Sequence, residues 1–211
     1  MKISDYIINK NSKVFIIAEL SANHNGSIDI AIETIKAAKR AGADCIKLQT
    51  YTADTLTIDS NKDDFLIKGT IWEGSNYYSL YEKAYTPWEW HAKLFEVAKE
   101  QELICFSSPF DRSAVDFLEK FDVPAYKIAS FEITDIPLIE YVASKQKPVI
   151  ISTGIAKKED IELAINWLNS GLDDMKLILK TFASFSFTTF RLLRSHLIIL
   201  KSKSLLFVLS K

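Results

Sequence analysis

The stretch Ala125-Tyr126-Lys127-Ile128-Ala129-Ser130-Phe131-Glu132-Ile133 sets a cation, a hydroxyl and a carboxylate at the end of an otherwise apolar strand. Side chains on a strand alternate between faces, so Lys127 and Ala129 share one face and Tyr126 and Ile128 the other. Burying an unpaired ammonium costs several kcal/mol, so Lys127 calls for either a carboxylate neighbour or an anionic ligand. Two more stretches follow the same rule. In Cys45-Ile46-Lys47-Leu48-Gln49-Thr50, Lys47 and Gln49 share a face opposite Ile46 and Leu48, and the apolar run Val14-Phe15-Ile16-Ile17-Ala18 ends in Glu19. Strands that each bring a charge to their C-terminal end describe the mouth of a parallel α/β active site.

Working outward, the spacing predicts strands over 13–20, 44–50, 103–107, 125–130, 149–152 and 175–180. Between them, helical periodicity runs from the N-cap Ser27 to the stop at Gly42, then over 88–101, 113–121, 136–144 and 158–169. Six βα steps in alternation are the pattern of a (β/α)8 barrel that is two steps short. The connection from Tyr51 to Pro87 is far longer than an ordinary loop, and Trp72, Tyr77, Tyr78 and Tyr81 within it predict an ordered lid. Residues 1–180 therefore read as a partial barrel domain. Residues 181–211 form an atypical tail that follows the last glycine, Gly171, and the last acidic residue, Asp174. Thr181 to Phe187 alternates like a strand, but nothing behind it reads as a seventh or eighth unit.

With 211 residues and 48% hydrophobic content, the chain can bury one sizeable core. Its net charge of −1 gives no electrostatic case for nucleic acid or an anionic membrane. No apolar run approaches the roughly 20 residues of a membrane helix. Asp5, Asn9, Lys10 and Asn11 interrupt the opening segment, unlike a signal peptide. Cys45 and Cys105 sit inside apolar strands as small buried thiols. A cytoplasmic location is expected.

Taken together, several ordered motifs resemble the sialic acid synthase family. They are Ile17-Ala18-Glu19-Leu20-Ser21-Ala22-Asn23-His24-Asn25-Gly26-Ser27, Lys47-Leu48-Gln49-Thr50-Tyr51, Thr86-Pro87-Trp88-Glu89-Trp90-His91, Phe106-Ser107-Ser108-Pro109-Phe110-Asp111, Tyr126-Lys127-Ile128-Ala129-Ser130-Phe131-Glu132 and Ile151-Ser152-Thr153-Gly154. The Glu19-Leu20-Ser21, Trp-Glu-Trp-His and Ser-Ser-Pro-Phe segments look most like the pseudaminic acid synthase branch. The resemblance implies a TIM barrel followed by an antifreeze-like domain, which is expected to be absent here. It also implies condensation of phosphoenolpyruvate with an N-acylated amino sugar to a nine-carbon sialic-acid-like sugar, a divalent Mn²⁺ or Mg²⁺, and a homodimer. In the family a Lys-Cys-Thr-Ser-x-Tyr-Pro-like segment follows the sixth strand, whereas here Lys180 leads into Thr181-Phe182-Ala183. We read the tail as out of frame from near Lys180.

On this resemblance Lys47 and Lys127 hold the carboxylate and phosphate of phosphoenolpyruvate, aided by Gln49, Ser130 and Ser107 or Ser108. Glu19 and Glu132 handle protons. The competing reading pairs those lysines with Glu19 or Glu132 in buried ion pairs. His24, His91 and His196 do not match the metal ligands of the family, so no metal residue is assigned. A partial barrel should leave strand edges bare and turn over little. The alternatives are a non-catalytic fragment with at most weak anion binding and, less in keeping with the motifs, a Schiff-base aldolase.

Overall fold

The computed structural model describes residues 2–8, 12–70, 72–171, 177–180, 196–200 and 207–208. A short antiparallel hairpin, β1 (Lys2–Ile3) and β2 (Tyr6–Ile7), opens the chain. The main sheet follows with β3 (Phe15–Glu19), β4 (Cys45–Thr50), β5 (Ile104–Pro109), β6 (Tyr126–Ile128), β7 (Val149–Ser152) and β8 (Leu177–Lys180). These strands lie side by side in chain order and all run parallel. They are the six strands of the expected alternation, with β6 ending sooner than predicted because Ser130–Glu132 turns into a 3₁₀ segment.

Between β3 and β4 lies helix α1 (Ile28–Arg40), whose N-terminus is capped by the Ser27 hydroxyl accepting from the Ile30 amide. Gly42 ends it at a φ of +87°, in the left-handed region that glycine adopts without strain. The long connection holds two helices, α2 (Ala53–Leu56) and α3 (Tyr77–Ala84). Beyond it come α4 (His91–Glu100), α5 (Arg112–Glu119), α6 (Ile136–Ala143) and α7 (Lys158–Gly171). The connection is thus ordered, as its aromatic content predicts, and it is partly helical. The expected helix over 88–101 begins as a 3₁₀ turn at Trp88–Trp90.

Helices cover one face of the sheet. Ile46 and Leu48 pack with Ala31 and Ile35 of α1 and Leu94, Val97 and Ala98 of α4. Further along, Tyr126, Ile128, Val149 and Ile151 pack with Val115 and Leu118 of α5 and Leu138, Ile139 and Val142 of α6. Each such side chain contributes about 2 kcal/mol when fully buried. A polar fastening adds to this: the Tyr126 hydroxyl donates to Glu119 Oε1 at 2.6 Å, and Lys147 donates to the same oxygen at 2.8 Å. Cys45 and Cys105 are buried free thiols whose pKa values burial pushes up.

One edge of the six-stranded parallel array, that of β3, differs from expectation, while β8 ends the sheet on the other side. Strand β9 (His196–Leu200) pairs antiparallel with β3, placing His196 opposite Glu19 in the register, and β10 (Phe207–Val208) pairs antiparallel with β9. The outer edge of β3 is therefore not bare. Its row of N–H and C=O groups accepts an antiparallel strand from the tail. The alternating stretch at 181–187 lies outside the described residues.

Candidate active site

Residues paired in parallel register share a face, which sorts the candidate residues into layers. Glu19 pairs with Lys47, Lys47 with Phe106, and Gln49 with Ser108. Ser107 pairs with Tyr126, so Lys127, the next residue along, lies on the face of Ser108. Glu19, Lys47, Gln49, Ser108 and Lys127 thus line the face turned away from the helices, toward the C-terminal ends of the strands. Both lysines are 4% exposed. Lys47 Nζ lies 3.7 Å from Glu19 Oε1, so the ion pair anticipated as the competing reading is present. Lys127 Nζ donates to the Ile128 carbonyl at 2.6 Å. Ser130, half-buried, sits in the turn that follows β6.

Ser107 goes the other way. Its hydroxyl lies 2.7 Å from Thr50 Oγ1, which in turn lies 2.9 Å from His91 Nε2 on α4, all buried. His91 Nδ1 is 3.2 Å from the Pro87 carbonyl, which can only accept, so Nδ1 carries the proton and Nε2 accepts from Thr50. The chain then runs Ser107 to Thr50 to His91 to Pro87, fastening β5 and β4 to α4. Burial lowers the His91 pKa to about 4, so the ring is neutral. Between the two serines offered for the anion site, the register thus favours Ser108.

A second layer lies one alternation above the first. Tyr51 follows Gln49 by two residues and Phe110 follows Ser108 by two, and their rings meet edge-on at 5.4 Å. Phe110 stacks on Phe131 at 5.7 Å, and Tyr81 from α3 meets Tyr51 edge-on at 5.9 Å. The predicted lid is therefore packed onto the rim through Tyr81, with Tyr77 stacked beside it at 6.3 Å. Tyr78 turns to Asp54 of α2 with a 3.0 Å hydrogen bond, and Trp72 is exposed. Beside Phe131, Glu132 has its pKa raised to about 7, by burial first and then by the charge of Asp135. Tyr51 and Phe110 were passed over in the sequence, although continuing the alternation that singled out Lys47 and Lys127 reaches them.

His24 is buried in the loop after β3. Its Nδ1 accepts from the Gly26 amide at 3.2 Å, which puts the proton on Nε2, 3.3 Å from Thr86 Oγ1. Burial lowers its pKa. Among the described residues no three His, Cys, Asp or Glu side chains converge as a metal requires. Both ring nitrogens of His24 and of His91 are engaged. The described residues do not fit the divalent metal the resemblance implies, and no step is assigned to one. A cleft of about 590 Å³ also borders Glu19, but Asp29 and Glu33 of α1 line it, which disfavours an anion. No helix among the described residues is long and apolar enough to cross a membrane.

Known proteins resemble the chain in sequence and in fold. The chain is 56% identical over 153 residues to the pseudaminic acid synthase of Campylobacter jejuni, covering 72% of this chain and 45% of that one. The pseudaminic acid synthase of Helicobacter pylori is 52% identical over 151 residues, covering 72% and 44%. The chain thus spans about half the length of these curated relatives. The crystal structure of the N-acetylneuraminic acid synthetase of Leptospira borgpetersenii in complex with citrate superposes with a TM-score of 0.75 at 28% identity, covering 90% of this chain and 61% of that one. The parallel sheet with its helices is accordingly an incomplete TIM barrel of the sialic acid synthase kind. The profile of the NeuB family matches residues 34–192, most of the chain and past Lys180, and the protein belongs to the NeuB family.

Proposed function

We propose that this chain carries the phosphoenolpyruvate-binding layer of a sugar acid synthase of the pseudaminic or N-acetylneuraminic acid class, joining phosphoenolpyruvate to an acylated amino sugar. The observation that carries the reading is the presence of two buried lysines, Lys47 on β4 and Lys127 on β6, on one face with Gln49 and with Ser108 of the intervening β5. A doubly anionic enol ester matches that layer in charge and in hydrogen-bond donors. Glu19, 3.7 Å from Lys47, keeps the cation in place until the ligand arrives.

In the reaction, the enol carbon attacks the sugar aldehyde, whose oxygen must gain a proton as the carbon–carbon bond forms. Glu132, with a pKa near 7, holds a proton over much of the neutral range and can give it up, as a general acid must. Water then adds to the cationic centre left behind, phosphate departs, and a carboxylate of the mouth, Glu19 or Glu132, takes the water's proton. Residues 1–180 act as the barrel portion, and the reaction takes place in the cytoplasm on small molecules. The homodimer of the family belongs to the same reading.

Calorimetric titration with phosphoenolpyruvate is the test. Micromolar to millimolar binding that Lys127→Met abolishes supports the reading, and no binding by the unmodified chain overturns it. Phosphate release that depends on an acylamino sugar separates a working synthase from a fragment that only binds the anion.

A further inference from the structure

Two buried histidines pin the lid at its far root. Thr86 and Pro87 lie between α3 and α4, and each meets one of them. Thr86 Oγ1 is 3.3 Å from His24 Nε2, and the Pro87 carbonyl accepts from His91 Nδ1 at 3.2 Å. Thr86 and His24 are both buried. The near root is tied to the same place, since the Trp88 indole donates to the Tyr51 carbonyl at 3.2 Å. Helix α3, which brings Tyr81 to the rim, thus hangs from one clasp.

The two rings differ in what a second proton would do. His91 Nε2 faces a hydroxyl, and Thr50 can turn to accept from it while donating onward to Ser107. His24 has no such freedom. Its Nδ1 faces the Gly26 amide, which can only donate, so a proton there sets two donors against each other. The turn that presents this amide passes through Asn25 at a φ of +48° and Gly26 at +68°. Asn25 is held in the left-handed region by its surroundings, and the turn relaxes once the amide is released. The groups that meet the His24 ring, namely Gly26, Thr86 and the edge-on Trp90 at 5.4 Å, are uncharged, and Glu89 beside Trp90 is exposed. Burial lowers the His24 pKa from its ordinary 6.5.

We propose that His24 is a positioning residue that holds the lid root through Thr86, and that its protonation in mild acid frees the lid and opens the mouth. This rests on the reading of the mouth as the synthase site and adds its regulation. A second proton expels the Gly26 amide from Nδ1, the ring turns out of its place, and Thr86 loses its partner. The group is held neutral by folding, so the latch is whole above about pH 6.5 and loosens as pH falls below it. Glu132, whose charge acts on Tyr81 of α3, takes up its proton near pH 7, which relieves the cost of its burial and works in the opposite sense.

The test is hydrogen exchange of residues 77–86 in the full chain at about pH 7.5 and about pH 5, each rate divided by the intrinsic rate at that pH. Protection of the lid should fall about tenfold in acid while the β4 amides keep theirs. His24→Gln keeps an N–H donor for Thr86 and does not titrate, so it should remove the acid loss. Thr86→Val keeps the shape without the hydroxyl, so its lid should already be loose at about pH 7.5 and change little in acid. Melting temperatures confirm that each variant folds, and Thr86→Val decides the matter if His24→Gln does not. Equal lid protection at the two pH values in the unmodified chain, or an acid loss that survives either substitution, overturns the latch. Failure of the unmodified chain to bind phosphoenolpyruvate overturns the synthase reading and leaves the latch, which exchange reads without a ligand, standing.

Discussion

Lys47 and Glu19 are register partners on β4 and β3, and their charged atoms stand 3.7 Å apart with little solvent around either side chain. Removing one member of a buried pair strands the other. Glu19→Ala is expected to cost about 3 kcal/mol in urea denaturation. Replacing both, as Glu19→Leu with Lys47→Met, should recover much of that loss, because no isolated charge remains. A double variant no better than the single one would show that the pair is not the source.

Glu132 and His91 set opposing pH dependences. The folded pKa of Glu132 lies near 7, above its ordinary 4.5, so its contribution to stability is complete below about pH 4.5 and is lost as pH rises through 7. His91 is held near 4, below its ordinary 6.5, so its contribution is complete above about pH 6.5 and is lost as pH falls through 4. Glu132→Gln removes only the first. Its melting temperature relative to the unmodified chain should therefore rise between pH 4.5 and 7, and a difference that stays flat over that interval would count against a buried Glu132.

The Ser107, Thr50, His91 chain predicts a sharp distinction between two small substitutions. Thr50→Val keeps the shape but leaves the Ser107 hydroxyl and His91 Nε2 without their buried partner, at a cost of about 2 kcal/mol. Thr50→Ser retains the hydroxyl and should lose less than half of that. Chemical denaturation of the two variants side by side makes the comparison.

Asn76 caps α3, its Oδ1 accepting from the Ser79 amide at 2.8 Å while its Nδ2 donates to Asn61 and Asp59. Asn76→Ala should weaken the lid locally by about 1 kcal/mol. Hydrogen exchange over residues 77–84 is expected to quicken about fivefold while the sheet amides hold their rates. Equal quickening throughout would mean that the cap serves the whole fold.

Much of this was legible in one dimension. The parallel order of the strands follows from alternating apolar runs and amphipathic helices, and the ends of α1 follow from Ser27 and Gly42. Lys47 and Lys127 stand out because charge inside an apolar strand is costly. The choice between Ser107 and Ser108 was not readable, since either parity fits an isolated strand and only the pairing with β4 and β6 assigns the faces. The β1–β2 hairpin and β9 were missed for different reasons. The hairpin strands are two residues each, too short to show a period, and β9 depends on which edge happens to be available. In α3, Tyr77, Leu80, Tyr81 and Ala84 do recur at helical spacing, but the length of the surrounding connection masks the signal.

The two thiols give the molecule a built-in clock. Cys45 and Cys105 lie on adjacent strands at the centre of the sheet, and burial keeps both in the unreactive protonated form. They face opposite sides of the sheet and lie in different core clusters, so an alkylating reagent can modify them only when the packing over those faces opens. The rate of labelling under native conditions measures how often the barrel wall opens, and its slowing on addition of phosphoenolpyruvate would report ligand engagement without any assay of turnover.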